Sequence, residues 1–317
     1  MKVIGIQSQI RKNNFYSVVL LIAFPALLMA MVYAFLRFGV LQNEVDANTG
    51  FISLVPYILI ATSIWFLIAW FFHSSIIQLA TGSQPLDRKE NKRVYNLLEN
   101  LCIAQGIQMP KIYIVEDNSL NAFASGLNPK SFSISLSRGL ITKLEDDELE
   151  AVLAHELTHI RNRDVRVLII SIIFVGIFSF IAEIAFRSLR FTSSVKSRNS
   201  KNMGVIILVA IVVSAFCYLI SILMRFGISR SREYLADAGA AESTRNPIAL
   251  ARALRKIARD PYIEAIQSRD IAQLFIDNPK PSAHGFSWDN LFATHPPIDK
   301  RIEILENFTV TESPKFD

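Results

Sequence analysis

Disulfide chemistry is nearly closed to this chain. Of its 317 residues only two are cysteine. Cys102 sits in an amphipathic helical pattern and Cys217 in the middle of an apolar run, so no structural disulfide is expected, which fits a reducing compartment. No internal repeat and no low-complexity tract is present, which sets aside solenoid and array architectures. A net charge of +5 and a pI near 9.2 raise nucleic acid as a partner. The basic residues, however, are spread along the polar segments rather than gathered into a patch, so nucleic acid is not expected. The stretch Gln42–Gly50 holds no Lys or Arg at all.

What the chain has in excess is apolar sequence. A content of 51% hydrophobic residues and a mean hydropathy of +0.32 are high for a soluble protein and low for a pure channel. The excess lies in runs at roughly Ser17–Phe38, Ile52–Phe72, Val167–Phe186 and Gly204–Met224, each near the ~20 residues that cross a bilayer. The first is too long for a signal-peptide core and is followed by no small-residue cleavage site, so it reads as an anchor, kinked at Pro25. Glu183, charged within the third run, pairs most simply with Arg187 one turn on. Lys2, Arg11 and Lys12 precede the first run, and Lys and Arg recur from Arg88 to Arg166 between the second and third. That asymmetry puts the N-terminus and the segment after the second run in the cytoplasm of a multi-pass protein. The short third loop disagrees, with Arg190, Lys196, Arg198 and Lys201. Either the later pair is oriented against the bias or it is a hairpin that does not cross.

The resulting organisation is a membrane hairpin over residues 1–72, a first catalytic segment over 73–166, a second membrane hairpin over 167–224 and a second catalytic segment over 225–317. Val94, Leu97, Leu98, Leu101 and Cys102 mark a helix, Pro110 introduces a strand at Lys111–Val115, and a loop runs through Asn121–Gly126. Phe132–Ser137 alternates strictly and reads as a strand, after which Gly139 turns the chain. In the last segment Asn246 and Pro247 form an N-cap and N1 pair, opening a helix with Leu250, Leu254 and Ile257 inward. Residues 278–289, with Pro279, Pro281 and Gly285, read as a loop.

The chemistry is concentrated in His155-Glu156-Leu157-Thr158-His159. Acidic residues Glu145–Glu148 load a helix N-terminus, and Leu149, Val152, Leu153, Leu157 and Ile160 form its apolar stripe. His155 and His159, four apart, project from one face and can grip one cation. Glu156 stands about 100° around the helix, placed to take a proton from water. Two neutral nitrogens and an adjacent carboxylate are the requirements of zinc hydrolysis. A third ligand is needed, and the best candidate follows the fourth run. There Glu233 and Asp237 are again four apart, so one carboxylate can bind metal while the other holds a histidine ring. Two apolar runs separate His159 from Glu233, an even number, so both segments return to the same side of the membrane.

These residues resemble the glutamate-ligand zincins. With the flanking apolar runs they look like the HtpX-type membrane metalloproteases, relatives of the CAAX prenyl endopeptidases. The resemblance covers Asn121-Ala122-Phe123-Ala124, His155 to His159 and on to Asp164, Arg232-Glu233-Tyr234 with Ala236-Asp237-Ala238, and Thr294-His295-Pro296-Pro297 before Arg301. It implies an α+β zincin-like catalytic domain, mainly helical, with about four transmembrane helices. It further implies one zinc held by His155, His159 and Glu233, Glu156 as catalytic base and Asp237 behind a zinc histidine. His295 would steady the oxyanion, and Asn121 and Ala122 would bind substrate backbone. His284 receives no role. Asp164 and Arg301 are read as structural, Asp164 pairing with a neighbouring base and Arg301 docking the last helix.

The function implied is a zinc endopeptidase in a bacterial inner membrane that cleaves misfolded or unassembled membrane proteins, its site facing the cytoplasm. The alternatives are a prenyl-protein endopeptidase, which encloses its chamber with more helices, and a scaffold with a vestigial metal site, against which the intact Glu156 argues. The alternation of Phe132, Ile134 and Leu136 with Ser131, Ser133, Ser135 and Ser137 suggests a sheet edge. On that reading Ser133 and Ser135 lie where an extended substrate pairs by strand addition.

Overall fold

The computed structural model describes residues 6–40, 43–173, 232–260 and 296–308, together with residues 187, 211 and 215. The chain divides into two compact units. One comprises Met1–Asn14, Phe72–Ile169 and Phe226–Asp317, the other Phe15–Phe71 and Ile170–Arg225.

The second unit takes the greater part of two long helices, whose outer ends belong to the first. Helix α1 (Ile6–Phe35) carries Pro25 and ends in a π-turn at Leu36–Val40, and α2 (Glu44–Thr81) follows. Tyr33 joins them, its hydroxyl donating to Asn48 Oδ1 at 2.9 Å and its ring meeting Phe51 edge-on. Ile10–Phe38 and Glu44–Thr81 are long and apolar enough to span a bilayer, and the second has none of its most apolar stretch buried in protein. Such an exposed apolar surface is of the kind that a lipid bilayer covers. The later two apolar runs lie almost wholly outside the described residues, so two candidate spans, not four, stand in the structure.

The first unit holds a four-stranded sheet, order β1-β2-β4-β3. Its strands are β1 (Gln84–Pro85), β2 (Lys111–Val115), β3 (Ala122–Ser125) and β4 (Ser133–Ser137). Strand β4 pairs in parallel with β2 and antiparallel with β3. It is therefore an interior strand, and the expectation of a substrate-binding edge at Ser133 and Ser135 is overturned. Its alternating serines face a second buried layer rather than solvent. Ser133 Oγ lies 2.7 Å from Ser125 Oγ. Ser137 Oγ donates to Ser119 O and accepts from Asn121 N. Small hydroxyls satisfied inside a sheet mimic the pattern of a half-exposed strand. The loop expected at Asn121–Gly126 is also corrected, since Ala122–Ser125 form β3. Ala-Phe-Ala-Ser has little intrinsic strand preference, and pairing with β4 supplies what propensity does not.

The Ser135→Pro variant now has an altered expected outcome. Proline in an interior strand deletes a ladder hydrogen bond and is excluded from such positions in native sheets, so the fold should be destabilised. Thermal unfolding should show a lowered midpoint together with lost activity. An unchanged midpoint with a raised KM would restore β4 as the substrate site.

Around the sheet stand α3 (Lys92–Gln105), α4 (Arg138–Lys143) and α5 (Asp146–Asn162). They are followed by α6 (helical residues 164–173), α7 (helical residues 232–244), α8 (Pro247–Ile257) and α9 (Ile298–Phe308). Asn91 caps α3, and Gly106 ends it in a left-handed turn. Cys102 is buried there, and burial pushes its thiol up to about 11. At Gly139 the chain leaves β4 so close to Asn118 that a Cβ would lie 1.9 Å from the Asn118 carbonyl oxygen, which only glycine allows. Helix α5 is the centre of the unit, packed against β3, β4, α3 and α8, and α9 covers α8. Its first turn is closed by the Glu148 carboxylate accepting the Glu145 N–H at 2.9 Å. Arg252 and Lys256 of α8 pair with Asp147 and Glu148, so the acidic start of α5 also docks α8.

Candidate metal centre

Helix α5 is buried on nearly every side, including the face that carries both histidines. The i,i+4 spacing brings His155 Nε2 and His159 Nε2 to 3.2 Å from each other. Glu233 of α7 closes the third side, with Oε2 3.7 Å from His155 Nε2 and Oε1 3.5 Å from His159 Nε2. One ligand atom from each of the three residues lies within 4.8 Å of the others. Ligands at zinc distances around a tetrahedral ion stand about 3.3 Å from one another. The donor set, two imidazoles and a carboxylate, and the spacing fit such an ion.

Each histidine is held from behind. His155 Nδ1 lies 3.0 Å from Asp237 Oδ1, and His159 Nδ1 lies 3.2 Å from Asp164 Oδ2. A carboxylate on the far nitrogen fixes the tautomer that leaves Nε2 for a metal. Burial opposes a charged His155, but Asp237 and Glu233 outweigh it and raise its pKa to about 9. Protons and a cation therefore compete for His155, and metal uptake there releases a proton.

Glu156 is fully enclosed. Burial pushes its carboxyl above the ordinary range and Glu233 adds to this, while both imidazoles and a hydrogen bond from the Ala124 backbone act against it. A base raised towards neutrality holds an abstracted proton more readily than an exposed carboxylate does. Ala124 belongs to β3, which ties the base to the sheet's free edge. Among the described residues β3 has no strand on its other side. Ser137 N donates to Asn121 O, which sets the ladder phase, so the backbone groups of Ala122 and Ala124 face away from β4. Asn121 Oδ1 accepts the Ala122 N–H at 3.0 Å.

Two residues read as structural from sequence are corrected. Arg301, 1% exposed, does more than dock α9. Its Nε and Nη2 clasp Asp237 at 2.9 and 2.7 Å, and its Nη1 lies 3.4 Å from Glu233 Oε2. Burial alone would raise the Asp237 carboxyl, but the guanidinium overrides it and holds the group below the usual carboxylate range. Asp164 does pair with a base, Arg232 at 3.6 Å rather than adjacent Arg163, but its other oxygen holds His159. Arg163 makes this possible by ending α5 in a left-handed conformation, φ 62°, which turns the chain back beneath the histidine. An arginine 64 residues from its acidic partner leaves no local signal. The nearness of Asp164 to His159, five residues on, was the available clue. His295 and His284 lie outside the described residues.

Helices α5 and α7 approach through Gly239, where a Cβ would come within 2.6 Å of Thr158 Cγ2 and 2.9 Å of Thr158 Oγ1. Thr158 cannot easily yield, being buried and bonded to Ala154 O. Gly239→Ala should therefore push α7 outward, lower stability by about 1–3 kcal/mol and weaken metal retention through Glu233. Thr158→Ala in the same chain should restore both. Metal content and unfolding midpoint of the single and double variants decide it, and a single variant identical to wild type would refute the close approach.

The fold and the site define a metallopeptidase. Residues 88–309 match Peptidase family M48, and the chain belongs to that family. It is 55% identical over 324 aligned positions to "Protease HtpX homolog" of Bacteroides fragilis strain YCH46, covering 97% of this chain and all of that one. The Listeria monocytogenes serotype 4a protein of the same description is 36% identical, with 87% of this chain and 95% of that one covered. A crystal structure of S. mikatae Ste24p aligns with a TM-score of 0.43 at 22% identity over 93% of this chain, which spans 65% of that structure's length. With its apolar helices the chain is a membrane metallopeptidase.

Proposed function

We propose that the chain is a membrane-anchored zinc endopeptidase that removes misfolded or unassembled membrane proteins, with its catalytic site on the cytoplasmic side of a bacterial inner membrane. The observation that carries the catalytic part is Glu156, buried beside three ligand-type side chains. A purely structural metal site has no need of a base. His155, His159 and Glu233 hold the ion, which when bound supplies Lewis acidity at the scissile carbonyl. Asp237 and Asp164 keep the two imidazoles aimed at one point, and Arg301 keeps Asp237 ionised. Glu156 accepts a proton from the attacking water and returns it to the leaving amine.

Substrate binding belongs at β3 on this reading. An extended peptide donating to the outward carbonyls of Ala122 and Ala124, whose N–H groups are held by Asn121 Oδ1 and by Glu156, runs beside Glu156. Backbone pairing reads little side-chain identity, which suits an enzyme meeting unfolded segments of many proteins. The excess of Lys and Arg before the first apolar run supports the cytoplasmic orientation.

Purified full-length protein should cleave a destabilised multi-pass membrane protein faster than its stably folded form. A zinc chelator should abolish cleavage, and added zinc should restore it. Equal cleavage of both forms would remove the quality-control role, and cleavage indifferent to chelation would remove the zinc.

A further inference from the structure

We infer that Asn13, near the start of the first apolar helix, is a positioning residue for the metal centre, setting the carboxylate that orients His159. The inference rests on the reading of His159 as a ligand. Asn13 lies within the candidate span Ile10–Phe38, yet it is 1% exposed. An anchor needs no amide there. The side-chain nitrogen of Asn13 donates to Asn162 O at 2.8 Å and to Asp164 Oδ1 at 2.6 Å. Asn162 is the last residue of α5, and Asp164 opens α6 just past the left-handed turn at Arg163. One amide thus clasps both sides of the corner that brings Asp164 back to the histidine.

The two oxygens of Asp164 are divided between these tasks. Oδ1 takes the Asn13 amide, with Arg232 Nε 3.6 Å away, and Oδ2 faces His159 Nδ1 at 3.2 Å. Without the Asn13 amide, Oδ1 exchanges a 2.6 Å hydrogen bond for the Arg232 guanidinium at 3.6 Å, and the carboxylate fixes the imidazole less firmly. Partners of this kind typically change metal affinity 10–100-fold when removed. The chain that completes the site therefore comes from α5, α6, α7, α9 and the beginning of α1. Seating of the N-terminal helix becomes a condition for tight metal binding.

The test uses full-length protein in detergent, loaded with zinc or cobalt. Asn13→Leu keeps the branching and the heavy-atom count and removes the amide. It should lower zinc affinity about 10-fold or more and shift the visible absorption of the cobalt form, which reports ligand geometry. The unfolding midpoint of the metal-free protein should fall modestly through the lost buried hydrogen bonds, so affinity and spectrum are read well below it. In an Asp164→Asn background, Asn13→Leu should add little further loss, because its effect passes through Asp164. Wild-type zinc affinity and cobalt spectrum in Asn13→Leu would overturn the inference, as would full additivity with Asp164→Asn. If Asn13→Leu fails to fold, Asn13→Ala is judged by the same two criteria. Failure of the unsubstituted protein to bind a stoichiometric metal would instead overturn the metal-site reading, and this inference with it.

Discussion

Glu156→Gln is expected to reduce peptide hydrolysis at least ~10²–10⁴-fold while metal content stays at the wild-type level. The amide keeps the shape of the side chain and can still accept the Ala124 hydrogen bond seen by the carboxylate. It cannot accept and hold a proton from water. Because Glu156 is buried, replacing it with a neutral group removes an unfavourable buried charge, so the unfolding midpoint should not fall. Single-turnover cleavage, metal analysis and thermal unfolding on one preparation separate these effects. Near-normal turnover would mean that another group serves as base, and coupled loss of metal would mean that Glu156 helps to hold the ion.

Glu233→Ala is expected to lower zinc affinity by ~10²-fold or more, since removal of residues behind a ligand alone typically accounts for 10–100-fold. Activity should fall with the metal content. The consequence extends beyond the lost oxygen, because Glu233 Oε2 also stands 3.4 Å from Arg301 Nη1. With that carboxylate gone, the guanidinium lies near His155 Nε2, at 3.5 Å, without its nearest compensating charge on the metal side. A cation there repels a bound cation. Zinc competition with a chromophoric chelator gives the affinity directly. Wild-type retention by Glu233→Ala would remove Glu233 from the site.

Much of the centre was legible because its decisive geometry is local. The spacing of His155 and His159 places their ring nitrogens together on any α-helix, and Glu145–Glu148 announced where that helix begins. Asn246 and Pro247 did the same for α8, with Asn246 Oδ1 accepting the Ala249 N–H at 3.1 Å. Lys111–Val115 emerged as a strand with the bounds read from sequence. The even number of apolar runs between His159 and Glu233 allowed the two segments to meet, and Glu233 does stand beside the two histidines.

The failures share one cause: they depended on neighbours distant in sequence. Whether Ser133–Ser137 is an edge or an interior strand is decided by β2 and β3 together, and alternation within the strand carries no record of how many partners it has. Ala122–Ser125 becomes a strand only because β4 is there to pair with it. The long-range pairing moved the candidate substrate edge from β4 to β3, next to Glu156.

Two of the apolar runs read from sequence stand as candidate spans, and the helical histidine pair, the adjacent Glu156 and the distant Glu233 were legible before any fold. These follow from period, length and charge, which act over a few residues. The folded chain alone shows that Arg301 clasps Asp237, that Asp164 and Asn13 stand in line behind His159, and that Gly239 lets α7 approach α5. Those contacts join residues up to 151 positions apart. Packing of helices and pairing of strands select such partners by shape and unsatisfied polarity, and neither quantity exists until the chain has folded.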